Sequence, residues 1–208
     1  MKKKKLKSKK VEKAWLVCFL AIFALLFVFL KPSLVGFTVK KPINYTIVKH
    51  GNLDLYKVEL EIKERYGLKP INTSFFFRNN PEKLKVVRLS KKPTKNAYVS
   101  YDSRLVNCSN ISLAAFELGY FLGLIGIRVD VAFTEPLNNS EVKTCKDAKE
   151  NLTVIVVKNS NTERIYEKDN CMVIEVENCK GLKAIESFIL SLIELGKRKN
   201  FISVKNGK

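Results

Sequence analysis

The chain has 208 residues, a formal net charge of +18 and 46% apolar residues. This length allows one folded domain with an appendage, and the apolar content excludes a disordered chain. Arg and aromatic residues are not clustered along a basic strip in the sequence. We therefore expect a diffuse, solvated Lys surface and no nucleic-acid partner.

The chain begins with a Lys-rich segment and continues with an apolar one. Residues 1–13 hold eight Lys and one Glu, and no charge interrupts the 17 residues from Ala14 to Leu30. As a helix this segment rises about 26 Å, close to the roughly 30 Å hydrocarbon core of a bilayer. Trp15 is placed as an interfacial anchor, and Pro32 ends the helix. The sequence predicts a transmembrane anchor over 14–31.

A cleaved secretory signal is the competing interpretation of this segment. Such signals have shorter apolar regions and a small-x-small cleavage site. The following KPSLVGFTVKK contains no convincing site of this kind, and KKVEKAW lacks the earlier site that a pilin-type signal needs. The sequence favours an uncleaved anchor. Because positive charge is retained in the cytoplasm, residues 1–13 are expected inside the cell membrane and residue 32 onward outside.

Beyond the anchor, prolines and a glycine predict a stalk over 32–52. An extracytoplasmic α/β domain is predicted over 53–200, followed by a basic tail over 201–208. LDLYKVELEIKERYGLKP reads as either a helix or a strand. NAYVSYD, ISLAAFELGYFLGLIG and IRVDVAF predict a β-α-β unit with parallel strands.

The last third of the chain predicts a second group of strands and a closing helix. LTVIVVK, TERIYE and CMVIEVEN indicate a three-stranded antiparallel meander. GLKAIESFILSLIELG predicts an amphipathic helix that ends at Gly196. The predicted fold class is therefore α/β, with one mixed sheet.

Residues 111–127 carry one charge and raise the question of a second membrane span. Ala115, Gly119 and Gly123 have the small-xxx-small spacing of packed membrane helices. A second crossing would, however, leave three of the four outer-domain cysteines in a reducing compartment. We therefore expect a buried helix whose glycines let it approach the sheet closely.

Six N-glycosylation acceptors all follow the anchor, more than chance pairing of Asn with Ser or Thr would give. None has Pro at the middle position, and together they fit an outward-facing glycoprotein domain. The acceptors are Asn44, Asn72, Asn107, Asn110, Asn138 and Asn151.

Four of the five cysteines lie in the predicted outer domain, which indicates two disulfide bonds in an oxidising compartment. A metal site is disfavoured because no C-x-x-C pair is present and His50 is distant. Cys171 and Cys179 flank one predicted strand and are too far apart to pair with each other. Two connectivities remain. The meander places Cys171 near Cys145, so we favour Cys145–Cys171 and Cys108–Cys179.

Several short motifs together resemble a group of small archaeal membrane-anchored cell-surface proteins. They are the Lys-rich start, LVGFTV at 34–39, an RNDPR-like turn, Cys-bearing strands and a final AxxxFIxxLI-like helix. Here the turn reads RNNPE, so Asn80 and Glu82 depart from the pattern. The group has no known activity, and the resemblance implies topology and fold alone.

Candidate ligand-binding side chains follow two predicted parallel strands. Ligands of α/β sheets bind beyond the carboxyl ends of parallel strands, which indicates Asp102, Arg104 and Glu135. The competing interpretation is that these residues serve as turn and cap residues. FFFRNN with Tyr98 and Tyr101 suggests a sugar-binding face, although alternating aromatic residues more often form core.

No nucleophile motif, phosphate loop or metal-ligand spacing is present in the sequence. We expect a single-pass protein with a structural or interaction role at the cell envelope, no cofactor, and the lipid bilayer and an envelope or surface-layer protein as partners. An extracytoplasmic enzyme or glycan-binding module acting on envelope substrates is the alternative. A cleft that joins the three candidate residues would favour an enzyme, and a flat apolar patch would favour a protein partner.

Overall fold

The computed structural model describes residues 43–137 and 139–205. The predicted tail at 1–13, the anchor at 14–31, most of the predicted stalk and the acceptor Asn138 lie outside the described residues. In the described part, no helix is both long and apolar enough to cross a bilayer. This part has a mixed α/β fold, as the sequence predicts, but its strands form two sheets where one mixed sheet was predicted.

The first sheet is antiparallel and has four strands. They are β1 (Thr46–His50), β2 (Leu53–Ile62), β3 (Ile71–Phe77) and β9 (Ile202–Val204), in the order β1-β2-β3 with β9 also paired to β2. Alternate residues of β2, namely Val58, Leu60 and Ile62, are fully buried. This period of two explains why the segment forms a strand with one face on the core.

Both predicted boundaries of the outer domain are corrected by this sheet. Residues 46–50, predicted as stalk, form β1, and residues 202–204, predicted as tail, form β9. The physical reason is burial of apolar side chains next to these strands: Ile43, Phe201 and Ile202 belong to the hydrophobic core. The domain therefore begins and ends further out than its composition suggests.

The second sheet has five strands in the order β5-β4-β6-β8-β7. The helix α1 (Ile111–Leu124) links β4 (Asn96–Tyr101) to its parallel neighbour β5 (Arg128–Phe133), which is the predicted β-α-β unit. The other strands are β6 (Leu152–Ser160), β7 (Arg164–Lys168) and β8 (Cys171–Glu177). Of these five, β7 runs antiparallel to its neighbour.

The predicted meander is wrong in strand order. β6 pairs directly with β8 in parallel register, with Val154 opposite Cys171, and β7 lies outside them at the edge. Residues 153–157 of β6 are all buried, as expected of a central parallel strand covered on both faces. β7 is short and buries Ile165 alone, which suits an edge position.

Both helices lie between the two sheets. The ring of Phe121 in α1 contacts Phe75 of β3 with 5.3 Å between centroids, and α1 also packs against β5. The helix α2 (Gly181–Arg198) packs against β8 and β9. It continues past the predicted end at Gly196, where a Cβ would lie 2.7 Å from Ile202, so the glycine permits close approach of β9.

One side of this helical layer is closed by the segment 84–91. The backbone N–H of Lys85 donates to Ser187 Oγ at 3.3 Å, and that of Val87 donates to Ser191 Oγ at 3.0 Å. α2 is consequently buried along nearly its whole length. α1 forms the other side of the layer, and four of its residues remain exposed.

Candidate functional site

The predicted ligand residues meet at the carboxyl ends of β4 and β5. Asp102 directly follows β4 and caps the 3-10 turn Ser103–Leu105, accepting a hydrogen bond from the Arg104 backbone N–H at 3.0 Å. The Arg104 side chain donates to the same carboxylate, with Nη2 2.6 Å from Oδ2. The backbone N–H of Asn159, near the end of β6, donates to Oδ2 at 3.3 Å.

Glu135 joins this group through a neighbouring hydroxyl. Ser103 Oγ donates to Glu135 Oε1, while the backbone N–H of Thr134 donates to the Tyr101 carbonyl at 3.0 Å. The parallel pairing of β4 and β5 is what brings residues 102–104 and 135 to one edge. The structure therefore brings together the three residues that the sequence singled out.

The electrostatics of this group favour a structural role for its central carboxylate. Hydrogen bonding by the Arg104 guanidinium holds the pKa of Asp102 below its usual range, against the opposing effect of burial. Asp102 is 4% exposed, and both its oxygens accept hydrogen bonds. An anion bound in this way caps the turn and has no proton to donate at neutral pH.

A surface depression lies elsewhere, at the edge formed by β7. It is lined by Lys85, Val87, Arg164, Ile165 and Tyr166. None of the three candidate ligand residues contributes to it. Arg164 is held by Glu175, with Nε 2.6 Å from Oε2, and Lys158 Nζ lies 3.0 Å from the other oxygen of the same carboxylate. A buried carboxylate that holds two cations in this way indicates a structural ion-pair group.

An apolar surface lies on the open side of α1, and we call it the α1 surface. Phe116 is 70% exposed and stacks on Tyr120, which is 48% exposed, with 6.2 Å between ring centroids. Val131 of the edge strand β5 is 63% exposed, although its neighbours Val129 and Phe133 pack on the core. Large apolar side chains grouped on a surface are typical of a protein-binding site.

The glycines of α1 correct one prediction from the sequence. Gly119 and Gly123 were expected to face the sheet, but in the described part of the chain a Cβ at either position would meet no atom within 4 Å. Both glycines therefore belong to the α1 surface, between and beside the exposed rings. Buried residues such as Leu118 and Leu122 make the contacts with the core instead.

No protein-family model matches this chain, and no curated protein or solved structure matches it. The function must be argued from the geometry of the site.

Two buried carboxyls were missed in the sequence. Glu186 of α2 accepts hydrogen bonds from the backbone N–H of Arg78 at 2.5 Å and from Asn79 Nδ2 at 2.6 Å. Glu117 of α1 pairs with Arg78 Nε at 3.0 Å, and its Oε2 has no hydrogen-bond partner among the described residues. Burial raises the pKa of both carboxyls, that of Glu186 to about 7.

These contacts give the RNNPE turn a structural role. Arg78 and Asn79 join the end of β3 to both helices, and Asn80 caps the 3-10 turn Pro81–Lys83. A signal was present in the sequence, because Glu117 is the single charge in a long apolar segment and so calls for a buried partner.

The two disulfide bonds join the pairs that the sequence favours. Cys108 bonds to Cys179, just ahead of α1 and α2, and Cys145 bonds to Cys171 at the start of β8. In the predicted meander, as in the structure, β6 and β8 run in the same direction. The prediction therefore placed Cys171 at the correct end of the sheet, although its strand order was wrong. Among the described residues, no group of His, Cys, Asp and Glu is arranged as metal ligands.

The described glycosylation acceptors are all exposed on the surface. They are Asn44, Asn72, Asn107, Asn110 and Asn151. The suggested aromatic sugar-binding face is not assembled, since Phe75, Phe77 and Tyr101 are buried in the core. Phe76 is exposed alone on the outer side of β3, and Tyr98 lies in the other sheet beside Glu141.

Proposed function

We propose that the chain is a single-pass membrane protein that displays a disulfide-stabilised, glycosylated domain outside the cell and docks it onto an envelope protein through the α1 surface. The docking part is carried by one observation, the exposed and stacked pair Phe116 and Tyr120 on the face of α1 that points away from the core. The outward location is supported by the two disulfides and the exposed acceptors. The resemblance to archaeal cell-surface proteins agrees with it.

The chemistry of the α1 surface defines its partner. The exposed residues of α1 are Ser112, Phe116, Tyr120 and Gly123, with no charge among them, in a domain that is otherwise rich in Lys. A matching surface is therefore uncharged and apolar, because a buried unpaired charge would oppose binding. The open Cα atoms of Gly119 and Gly123 suit the close approach of a helix.

The alternative, an enzyme or glycan-binding module, has weaker support. It would use Asp102, Arg104 and Glu135, but the Asp102 carboxylate is already engaged by Arg104 and by two backbone N–H groups.

The location is tested by thiol labelling of intact cells with an impermeant maleimide, with and without prior reduction. We expect labelling of the four domain cysteines after reduction alone. Labelling that requires cell lysis and no reductant would overturn the outward topology and the disulfide argument with it.

The docking surface is tested by photo-crosslinking in intact cells, with a photoreactive amino acid at Phe116 in one variant and at Ile47 in a control. Ile47 is also exposed and apolar but lies in β1. We expect one discrete cross-linked envelope protein from position 116, none from position 47, and loss of the product when Gly119→Leu is added. Gly119→Leu adds bulk where the described part of the domain has space and also raises helix propensity, so a melting temperature that does not fall will separate blocked docking from misfolding.

Equal cross-linking from both positions, or none from position 116, would overturn the proposal. A product that joins two copies of this chain would replace the envelope protein with self-association.

A further inference from the structure

Three segments far apart in the sequence converge at one end of the domain. Residues 63–69, 88–95 and 197–200 form this region, which we call the basic end. Lys92 Nζ donates to the Glu64 carbonyl at 3.0 Å, and Arg198 Nη2 donates to the Leu89 carbonyl at 2.8 Å. Lys63 Nζ donates to Asn200 Oδ1 at 3.3 Å. These bonds fix the three segments against one another.

The positive charge of the domain is concentrated at this end. The three segments have ten Lys or Arg and one acidic residue, Glu64, a net charge of +9. Two further carboxylates bond to them, Glu167 to the backbone N–H of Ser90 and Glu194 to Lys197, so the net charge of the basic end is +7. Residues 43–205 as a whole have 26 Lys or Arg and 19 Asp or Glu, a net charge of +7. The rest of the domain therefore has no net charge. The diffuse Lys surface expected from the sequence is thus corrected.

Most of these cations are exposed and lack acidic partners. In the described part of the chain, none of the exposed members forms an ion pair. Such a concentration of like charge opposes folding, so its retention points to an anionic partner outside the chain. The exposed members are Lys63, Lys69, Arg88, Lys91, Lys95, Arg198 and Lys199.

One cation of the basic end has a structural role. Lys92 Nζ lies 4.0 Å from the ring centroid of Tyr66 and 4.7 Å from that of Phe201. Burial lowers its pKa. Tyr66 also donates from its hydroxyl to the Pro93 carbonyl. Lys92 is thus held by two aromatic rings and the Glu64 carbonyl, and these contacts fix residues 64–66 against residues 92–93.

An exposed leucine lies among the cations. The turn Arg65–Leu68 has positive φ at Tyr66 (50°) and Gly67 (87°), which presents Leu68 with 54% of its surface exposed. Lys69 follows it directly, and Arg65 is held by the Leu124 carbonyl at 2.7 Å. An exposed apolar tip within a strongly basic region matches a lipid surface, where anionic headgroups overlie an apolar layer.

We propose that the basic end rests on the anionic headgroups of the lipid bilayer, with Leu68 entering the interfacial region. This inference rests on the proposed membrane anchor. Eleven residues, 32–42, separate the predicted anchor from Ile43, and even a fully extended segment of that length spans only about 40 Å. A bilayer is therefore the anionic surface nearest to the domain.

The test uses a fluorescent tryptophan at the apolar tip of the full-length chain. Trp15 is the sole tryptophan of the sequence, so a variant with Trp15→Tyr and Leu68→Trp reports on position 68 alone. This protein is reconstituted in vesicles with brominated acyl chains, made of phosphatidylcholine with or without an equal amount of phosphatidylglycerol. We expect about twofold lower emission in the anionic vesicles, restored in 1 M salt, where the screening length falls to about 3 Å.

A matched pair of charge variants controls for net charge. Four exposed cations of the basic end are changed in Lys69→Gln, Arg88→Gln, Lys95→Gln and Lys199→Gln together. Four exposed lysines elsewhere are changed in Lys49→Gln, Lys146→Gln, Lys149→Gln and Lys168→Gln together. We expect the first set of substitutions to abolish the quenching and the second set to leave the quenching unchanged.

Emission that is equal in both lipid mixtures, or equally affected by both variant sets, would overturn the lipid contact. Flotation of the same samples separates this failure from failure of the anchor. A chain that floats with both vesicles but shows no quenching has an anchor and no lipid contact at the basic end. A chain that floats with neither vesicle lacks the anchor on which both proposals depend.

Discussion

Asn79 and Glu186 lie 107 residues apart in the sequence and share two hydrogen bonds, from the Asn79 backbone N–H at 3.0 Å and from its Nδ2 at 2.6 Å. They join the turn after the first sheet to the helix that packs on the second. The carboxyl is fully buried, and burial raises its pKa to about 7.

The pH dependence of stability follows from this raised pKa. Between about pH 4.5 and pH 7 the folded chain holds a proton on Glu186 that the unfolded chain has lost. Its contribution is therefore fully present below pH 4.5 and is lost as the pH rises through 7, by at most about 3 kcal/mol. Urea unfolding of the full chain in detergent micelles, measured from pH 4.5 to 8, is expected to show this decline.

In Glu186→Gln the decline is expected to become smaller, although a slope of the same sign remains from Glu117, whose pKa is also raised by burial. Glu194→Gln is the control, because Glu194 lies on the same helix and pairs with Lys197 near the surface. An unchanged slope in Glu186→Gln would contradict the assignment.

Asp102 is expected to stabilise the fold, and its replacement is expected to cost more than that of its ionic partner. Asp102→Ala removes a buried acceptor of several hydrogen bonds, for an expected loss of about 2 kcal/mol in the free energy of unfolding. Arg104→Ala removes a guanidinium that is 68% exposed, and the expected loss is below about 1 kcal/mol. Urea unfolding of both variants measures the difference, and equal losses would show that the ion pair outweighs the cap.

The open glycines of α1 are expected to limit helix stability in the free domain. Gly119→Ala is expected to raise the free energy of unfolding by about 0.5–1 kcal/mol, because alanine has the higher helix propensity and its Cβ meets nothing. Gly126→Ala is the matched control. It is expected to destabilise the fold, since Gly126 has φ +81° and a Cβ there overlaps the Arg65 carbonyl. Thermal unfolding of the two variants measures both changes in stability. Destabilisation by Gly119→Ala would mean that the space beside Gly119 is not open.

The two disulfides are expected to differ slightly in the stability that they confer. Cys108–Cys179 closes 71 residues and joins the starts of both helices, whereas Cys145–Cys171 closes 26 residues. From the loop entropy of the unfolded chain, paired Cys→Ala replacement is expected to cost about 4 kcal/mol for the first and about 3.5 kcal/mol for the second. Denaturant unfolding of the two double variants tests the order, and a larger loss for the shorter loop would show that native packing dominates.

The sequence by itself determined the α/β class, the β-α-β unit and the favoured cysteine pairs. Each of these follows from local periodicity or from strand direction, which neighbouring residues encode. The sequence also predicted that Asp102, Arg104 and Glu135 lie at one edge of the sheet, because residues that follow adjacent parallel strands must lie close together. The N-glycosylation acceptors are likewise recognised from three consecutive residues.

Only the tertiary structure decided which strands are neighbours, which side of α1 stays open and where the charge collects. β7 lies outside β8 because a short strand with one buried residue can occupy an edge, and a central place is taken by the fully buried β6. The outward glycines depend on which side of a uniformly apolar helix is covered, and no periodicity in residues 111–124 distinguishes those sides. The basic end joins Lys63, Lys92 and Arg198 through contacts across 137, 28 and 109 residues, and such a surface exists only once the chain has folded.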